Sequence, residues 1–146
     1  MQAIETELKT LTFAGGDVFN YVTSAATFDP ASAFQIAQTL PTAIVIFGGE
    51  TEHEEHQHFA LATFHIVVID RHPSDASGRA ALFEPDSVMD IVEKVRNQFF
   101  FRQDIGNEIW WSKTSAAQAL KRQGDATGFL AFELTFDCMY QPITTA

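Results

Sequence analysis

The chain has 146 residues, 46% of them hydrophobic, and a formal charge of −10 from nine Lys and Arg against nineteen Asp and Glu. One domain of this length can bury roughly 68–70% of its unfolded surface, so it needs no metal or disulfide staple. So few cations exclude a broad DNA clamp, because gripping DNA requires Lys and Arg to neutralise phosphates.

Ile4, Leu8 and Leu11 fall at i, i+4 and i+7 and predict a short amphipathic helix over residues 2–12. Gly15-Gly16-Asp17 breaks it, and Val18-Phe19-Asn20-Tyr21-Val22 predicts a short strand. Asp29-Pro30 reads as a helix start, with Asp able to cap and Pro suited to the first helical position. That helix is expected over 30–40, burying Phe34, Ala37 and Leu40, and Pro41 stops it. Residues 42–47 are a continuous apolar run, expected as a central strand covered on both faces and ended by Gly48-Gly49.

Residues 50–58 read as a polar turn leading into a long strand, 59–70. Phe64, Ile66 and Val68 share one face of that strand, and Leu61, Thr63, His65, Val67 and Ile69 the other. The short polar connection predicts an antiparallel hairpin. After a loop over 71–84, Pro85-Asp86-Ser87 opens a helix whose Val88, Ile91, Val92, Val95 and Phe99 follow the 3.6-residue period. Its outer face carries Asp90, Glu93, Lys94, Arg96, Asn97 and Gln98, with Asp90 and Lys94 a favourable i, i+4 pair.

Residues 108–113, around Trp110-Trp111, predict a strand, and 114–128 a long segment with one short helical turn at 116–120. The last strand, 129–141, alternates most regularly. Leu130, Phe132, Leu134, Phe136, Cys138 and Tyr140 point to the core, and Ala131, Glu133, Thr135 and Asp137 to water or a partner. Residues 142–146 are expected to be a loose tail. Together the elements predict one α+β domain over 1–146, with a mostly antiparallel sheet of about four strands and two or three helices packed on it.

Cys138 is the single cysteine, so no internal disulfide forms and an oxidising compartment is not required. It belongs to a core face and reads as inert. The first residues lack a basic stretch followed by an apolar one, so no signal peptide is expected. The longest apolar runs, 43–47 and 66–69, are far short of the ~18 residues that cross a bilayer.

Catalytic patterns are sparse. Glu52-His53-Glu54-Glu55-His56-Gln57-His58 approaches a zinc-protease helix, but that motif needs two His four apart, and His53 and His56 are three apart. In an extended chain His56 and His58 share a face and could hold a metal weakly, and the expected reading is a solvated turn. His65, within an apolar strand, reads as a half-buried, hydrogen-bonded residue. No G-x-S-x-G elbow is present, and Gly15-Gly16 and Gly48-Gly49 lack the Lys-Ser/Thr of a phosphate loop. No cofactor is expected, and the chain does not read as an enzyme.

Aromatic residues carry more information. The chain has fourteen Phe against two Tyr and two Trp, a bias toward apolar area without a polar handle. Phe99-Phe100-Phe101 cannot all face one helical stripe, and Trp110-Trp111 are expected on opposite faces of a strand. The surplus aromatics belong either to a chain wrapped by its own helices or to a subunit contact.

The order of elements resembles the tail terminator (tail completion) family of long-tailed bacteriophages. The residues that carry the resemblance are Leu40-Pro41-Thr42-Ala43, Ile91-Val92-Glu93-Lys94-Val95-Arg96 and the closing Phe132-Glu133-Leu134-Thr135-Phe136. It implies a ring, usually of six identical subunits, that caps the tail tube, stops its polymerisation and joins it to the neck or head connector. It also implies a virion location at the tail–neck junction, synthesis in the host cytoplasm and no membrane. For contractile-tailed relatives it implies a contact with the sheath as well. DNA would pass through the hole without specific binding.

On that reading Phe100, Phe101, Trp110, Trp111, Arg79, Lys121 and Arg122 are candidate interface residues. Glu50, Glu52, Glu54, Glu55, Glu133 and Asp137 are candidates for an acidic channel lining. The alternatives are a neck or head-completion protein of the same particle, a small metal-binding protein or enzyme using the residue 53–58 cluster, and a small-ligand module built on the Phe-rich core.

Overall fold

The computed structural model describes residues 2–25, 41–52, 60–71, 87–99, 109–114, 118–120 and 129–140. Ile4 and Leu8, one helical turn apart, are both fully buried on α1 (Gln2–Lys9). The helix ends where the Thr10 backbone N–H and hydroxyl both donate to the Glu7 carbonyl, at 3.1 and 2.7 Å. Leu11 continues the apolar stripe past the helix end. The Gly15-Gly16-Asp17 break is a tight ribbon of β1 (Thr12–Phe13) and β2 (Gly16–Asp17), with Gly16 at φ 132°, a conformation that glycine takes without steric cost. Val18 N–H closes the ribbon by donating to the Leu11 carbonyl at 3.0 Å.

Val18 and Phe19 are buried but only lead into β3 (Tyr21–Ala25), which begins later than the sequence pattern implied. β3 runs parallel to β4 (Thr42–Glu52), and β4 pairs antiparallel with β5 (Ala60–Arg71), as the hairpin reading required. Gly48-Gly49 does not end the strand. Phe47 pairs with Phe64 and Gly49 with Thr63, so Gly48 is the extra residue of a β-bulge and β4 continues to Glu52.

The helix of the second half, α2 (Val88–Phe99), buries Val88, Ile91, Val92, Val95 and Phe99, the stripe expected from its period. β8 (Phe129–Tyr140) pairs with the whole of β5. Along its other edge lie β6 (Ile109–Thr114) and β7 (Gln118–Leu120). Among the described residues the main sheet is ordered β3-β4-β5-β8-β6, with β7 sharing the β8 edge that β6 occupies. It is mixed, with one parallel pair, and the class is α+β as expected.

A helical turn at 116–120 is overturned, because Gln118, Ala119 and Leu120 pair with Glu133, Phe132 and Ala131. Ala, Gln and Leu favour helix by only tenths of a kcal/mol each, roughly, whereas a strand edge left without partners loses its hydrogen bonds. The helix expected over 30–40 and the tail 142–146 lie outside the described residues.

The two helices among the described residues lie on one face of the sheet. There Ile4, Leu8, Leu11 and the α2 stripe pack with Ala43, Val45, Ala62, Phe64, Ile66, Val68, Leu134, Phe136 and Cys138. The opposite face holds a second buried cluster of Ile44, Ile46, Val67, Ile69 and Ala131. Residues 43–46 of β4 are thus buried on both faces, as expected, but Phe47 is not.

Candidate functional site

Three features of the described residues could carry function. The first is an aromatic row across the helix-bearing face. Phe47, Phe64 and Phe136 stand opposite one another on β4, β5 and β8, and Phe99 of α2 stacks on Phe136. Ring centroids are 5.2 Å apart for Phe99–Phe136, 5.6 Å for Phe136–Phe64 and 5.4 Å for Phe64–Phe47, within the range of favourable aromatic pairs. Exposure climbs along the row from 0% at Phe99 through 6% at Phe64 to 37% at Phe47. Phe47 is the exposed large apolar side chain among the described residues.

The bulge next to Phe47 is set by the second feature, a polar strip on the opposite face. His65 Nδ1 lies 2.6 Å from Glu133 Oε1, so the proton on Nδ1 is donated to the carboxylate. The Thr135 hydroxyl is 3.2 Å from the same nitrogen and donates to Glu133 Oε1 at 3.4 Å. On its other side the imidazole lies against Gly48, where a Cβ would fall 2.8 Å from Nε2 and 3.0 Å from the Thr63 carbonyl oxygen. Gly48 is therefore the residue that lets β4 pass the ring. The strip continues with the Thr63 hydroxyl donating to Asp137 Oδ1 at 2.7 Å.

A shallow groove of about 450 Å³ is the third feature, between the β1–β2 ribbon and the outer face of α2. Leu11 and Phe13 line it together with Asp90, Glu93, Lys94, Asn97 and Gln98. The Lys94 ammonium sits 5.1 Å from the centre of the Phe13 ring, a cation–π contact. Beside it the Gln98 amide donates to Glu7, tying α1 to α2.

The candidates read from sequence distribute unevenly. His65 is half-buried and hydrogen-bonded, as its strand position implied. Glu133, grouped with the wet acids, is instead buried against His65, because its strand face is occupied at that point. Asp137, four residues on, is exposed. Glu50 and Glu52 lie on β4 beyond the bulge, in register with Ala62 and Ala60. Trp110 falls between the Ile109–Tyr140 and Trp111–Met139 pairs, at a second bulge. That irregularity breaks the strict alternation on which the opposite-face expectation for the two Trp rested.

Phe100, Phe101, Arg79, Lys121, Arg122, Glu54 and Glu55 lie outside the described residues, as does the run from His53 to His58. Among the described residues no three His, Cys, Asp or Glu side chains are grouped to hold a metal ion, and no helix is long and apolar enough to cross a membrane. Burial, reinforced by the Asp137 charge, pushes the Cys138 thiol up to about 12, so it stays protonated at neutral pH.

The fold has a solved counterpart. It is similar to a chain in the virion of a native gene transfer agent particle, with a TM-score of 0.58 and 14% identity. The match covers 97% of this chain and 93% of that one. No protein-family profile matches the chain, and no curated protein does. At that identity the likeness is one of architecture, and it extends over nearly the whole of both chains.

Sequence reasoning missed Phe47 and the His65–Glu133 contact. A signal for the bulge beside Phe47 existed, since a glycine inside a strand pattern often marks one. The second joins residues far apart in the chain and has no local signature.

Proposed function

We propose that the chain is a structural subunit of a phage-like particle, and that it acts as a tail terminator. In this role it forms a ring of about six copies that caps the tail tube, stops its growth and presents a surface to the neck or head connector. The observation that carries this reading is the fold shared, over 97% of this chain, with a chain of a gene transfer agent virion. The resemblance in element order to the tail terminator family supports the finer role.

On this reading the work is done by shape and contact rather than catalysis. A closed ring uses a heterologous interface, one patch of each subunit meeting a different patch of the next. The charge of −10 per copy gives the lumen a sign that repels a passing DNA backbone instead of holding it. The partners are further copies of the chain, the tube protein, the neck or head-connector protein and, in a contractile particle, the sheath.

The test is to add the purified chain to tail tubes assembled without it and to image the tubes. The expected result is a ring at one tube end and an end to further elongation. Tubes that keep growing with no added density overturn the reading. Density found only at the head side of the neck assigns the chain to head completion instead.

A further inference from the structure

We infer that the groove between the β1–β2 ribbon and α2 is a docking site for an arginine-bearing segment of a partner protein, with the guanidinium seated on the Phe13 ring beside the Glu93 carboxylate. The inference stands on the chemistry of the groove and goes beyond the ring reading above.

The groove already holds a cation that the chain itself supplies. The Lys94 ammonium lies 5.1 Å from the centre of the Phe13 ring, so the face of that ring is open to positive charge. Phe13 is half-buried and packs against the main core cluster, which fixes its ring before anything binds. Asp90 and Glu93 line the same groove, two carboxylates to one ammonium. Glu93 is exposed, within reach of an incoming group.

Charge and shape select the occupant. A chain of −10 draws a cationic partner at long range and repels an acidic one. A volume of about 450 Å³ takes a side chain with the backbone that carries it, far more than a bare ion needs. A guanidinium lies flat on an aromatic ring while its N–H fork donates to a carboxylate, and it is less strongly hydrated than an ammonium. Arginine therefore displaces Lys94, which swings out on its flexible stem, more readily than a second lysine does. The apolar stem of the arginine covers the exposed part of Phe13, and Asn97, which also lines the groove, offers a donor and an acceptor to the backbone of the segment.

The experiment titrates the isotope-labelled full chain with the blocked peptide acetyl-Ala-Arg-Ala-Leu-Arg-Ala-amide at low salt and follows the backbone amide signals. Shifts are expected to centre on Phe13, Asp90, Glu93 and Asn97, and the same peptide with Glu in place of each Arg is expected to leave them unmoved. Phe13→Leu is expected to weaken binding roughly two- to fivefold, the size of a cation–π contact at a partly exposed ring, and Phe13→Tyr to keep it. Glu93→Gln is expected to weaken binding and Lys94→Gln to strengthen it, because the ring is then vacant. Thermal melts check that each variant folds. Glu93 and Lys94 stand on the outer face of α2, so their variants decide the matter if Phe13→Leu does not fold. Shifts absent from the groove or scattered over acidic residues elsewhere overturn the inference, and so does a folded Phe13→Leu that binds as the wild type does, or a Lys94→Gln that gains nothing. None of these results bears on whether rings cap tail tubes, which the tube experiment decides separately.

Discussion

The two faces of the sheet solve the same covering problem by opposite chemistry. On the helix-bearing face, β5 and β8 present Phe64, Ile66, Leu134 and Phe136 to α1 and α2, and the contact is dry. On the other face the same two strands present Val67, Ile69 and Ala131 at one end, and His65, Thr63, Thr135 and Asp137 at the other. Glu133 and Asp137 stand only four positions apart on β8, yet the first carboxylate is buried to 9% exposure and the second is exposed. Burial on the first face follows from the apolar pattern alone. On the second it follows from whether a partner stands opposite each polar group.

If this contrast is right, the largest effect of a single substitution lies on the dry face. Phe136 is 1% exposed and stacked on both Phe64 and Phe99. Phe136→Ala removes the middle of the aromatic row and is expected to cost about 3–5 kcal/mol in urea denaturation. A loss below about 1 kcal/mol would show that the row is not a packed unit.

Next comes the point where the two faces meet. Gly48→Ala puts a methyl 2.8 Å from the His65 ring and 3.0 Å from a backbone oxygen, and is expected to cost roughly 1–3 kcal/mol. Part of that loss should return in the Gly48→Ala/His65→Ala double variant, because the ring is then gone while the Thr63 carbonyl remains. Equal loss with and without His65 would mean that the backbone oxygen alone decides the site.

These two positions also show how far sequence can be read. The α2 period and the β8 alternation were legible because each is local, and the same residues that carry the pattern make the contacts. Gly48-Gly49 was ambiguous because a glycine pair punctuates a strand end and a bulge alike, and only the opposing His65 distinguishes them. The 116–120 segment was misread because its helix propensity is real but small, and β8 offered an unpaired edge. Phe47 looked like one more residue of a doubly covered strand, since an apolar run does not say where its cover stops. Of the site residues proposed, Glu133 and Asp137 are those whose surroundings can be compared with expectation, the one buried against His65 and the other exposed.

A double-mutant cycle over His65→Ala and Glu133→Ala sharpens the contrast within the second face. With Nδ1 2.6 Å from Oε1 and the side chains 20% and 11% exposed, the coupling should be about 1–2 kcal/mol at neutral pH. Partial solvent access holds it below the figure for a fully buried pair. Each single variant leaves its partner buried without its closest contact, so each should lose more than the pair does per residue. Additive losses would mean that the two groups are neighbours without interaction.

The smallest effect is expected at Asp137, and it is the more telling for being small. Its carboxylate accepts from Thr63 at 2.7 Å, a distance as good as any in the strip. Geometry alone would rank Asp137 with Glu133. Solvent separates them: Asp137 is exposed, so water replaces the Thr63 hydroxyl when the contact is lost, and the net change is the difference between two hydrogen bonds of similar strength. Asp137→Asn should therefore shift stability by no more than about 0.5 kcal/mol in the same denaturation assay. A loss as large as that of Glu133→Ala would show that the far end of the strip is as dry as the near end, and that the division between the two carboxylates of β8 is drawn in the wrong place.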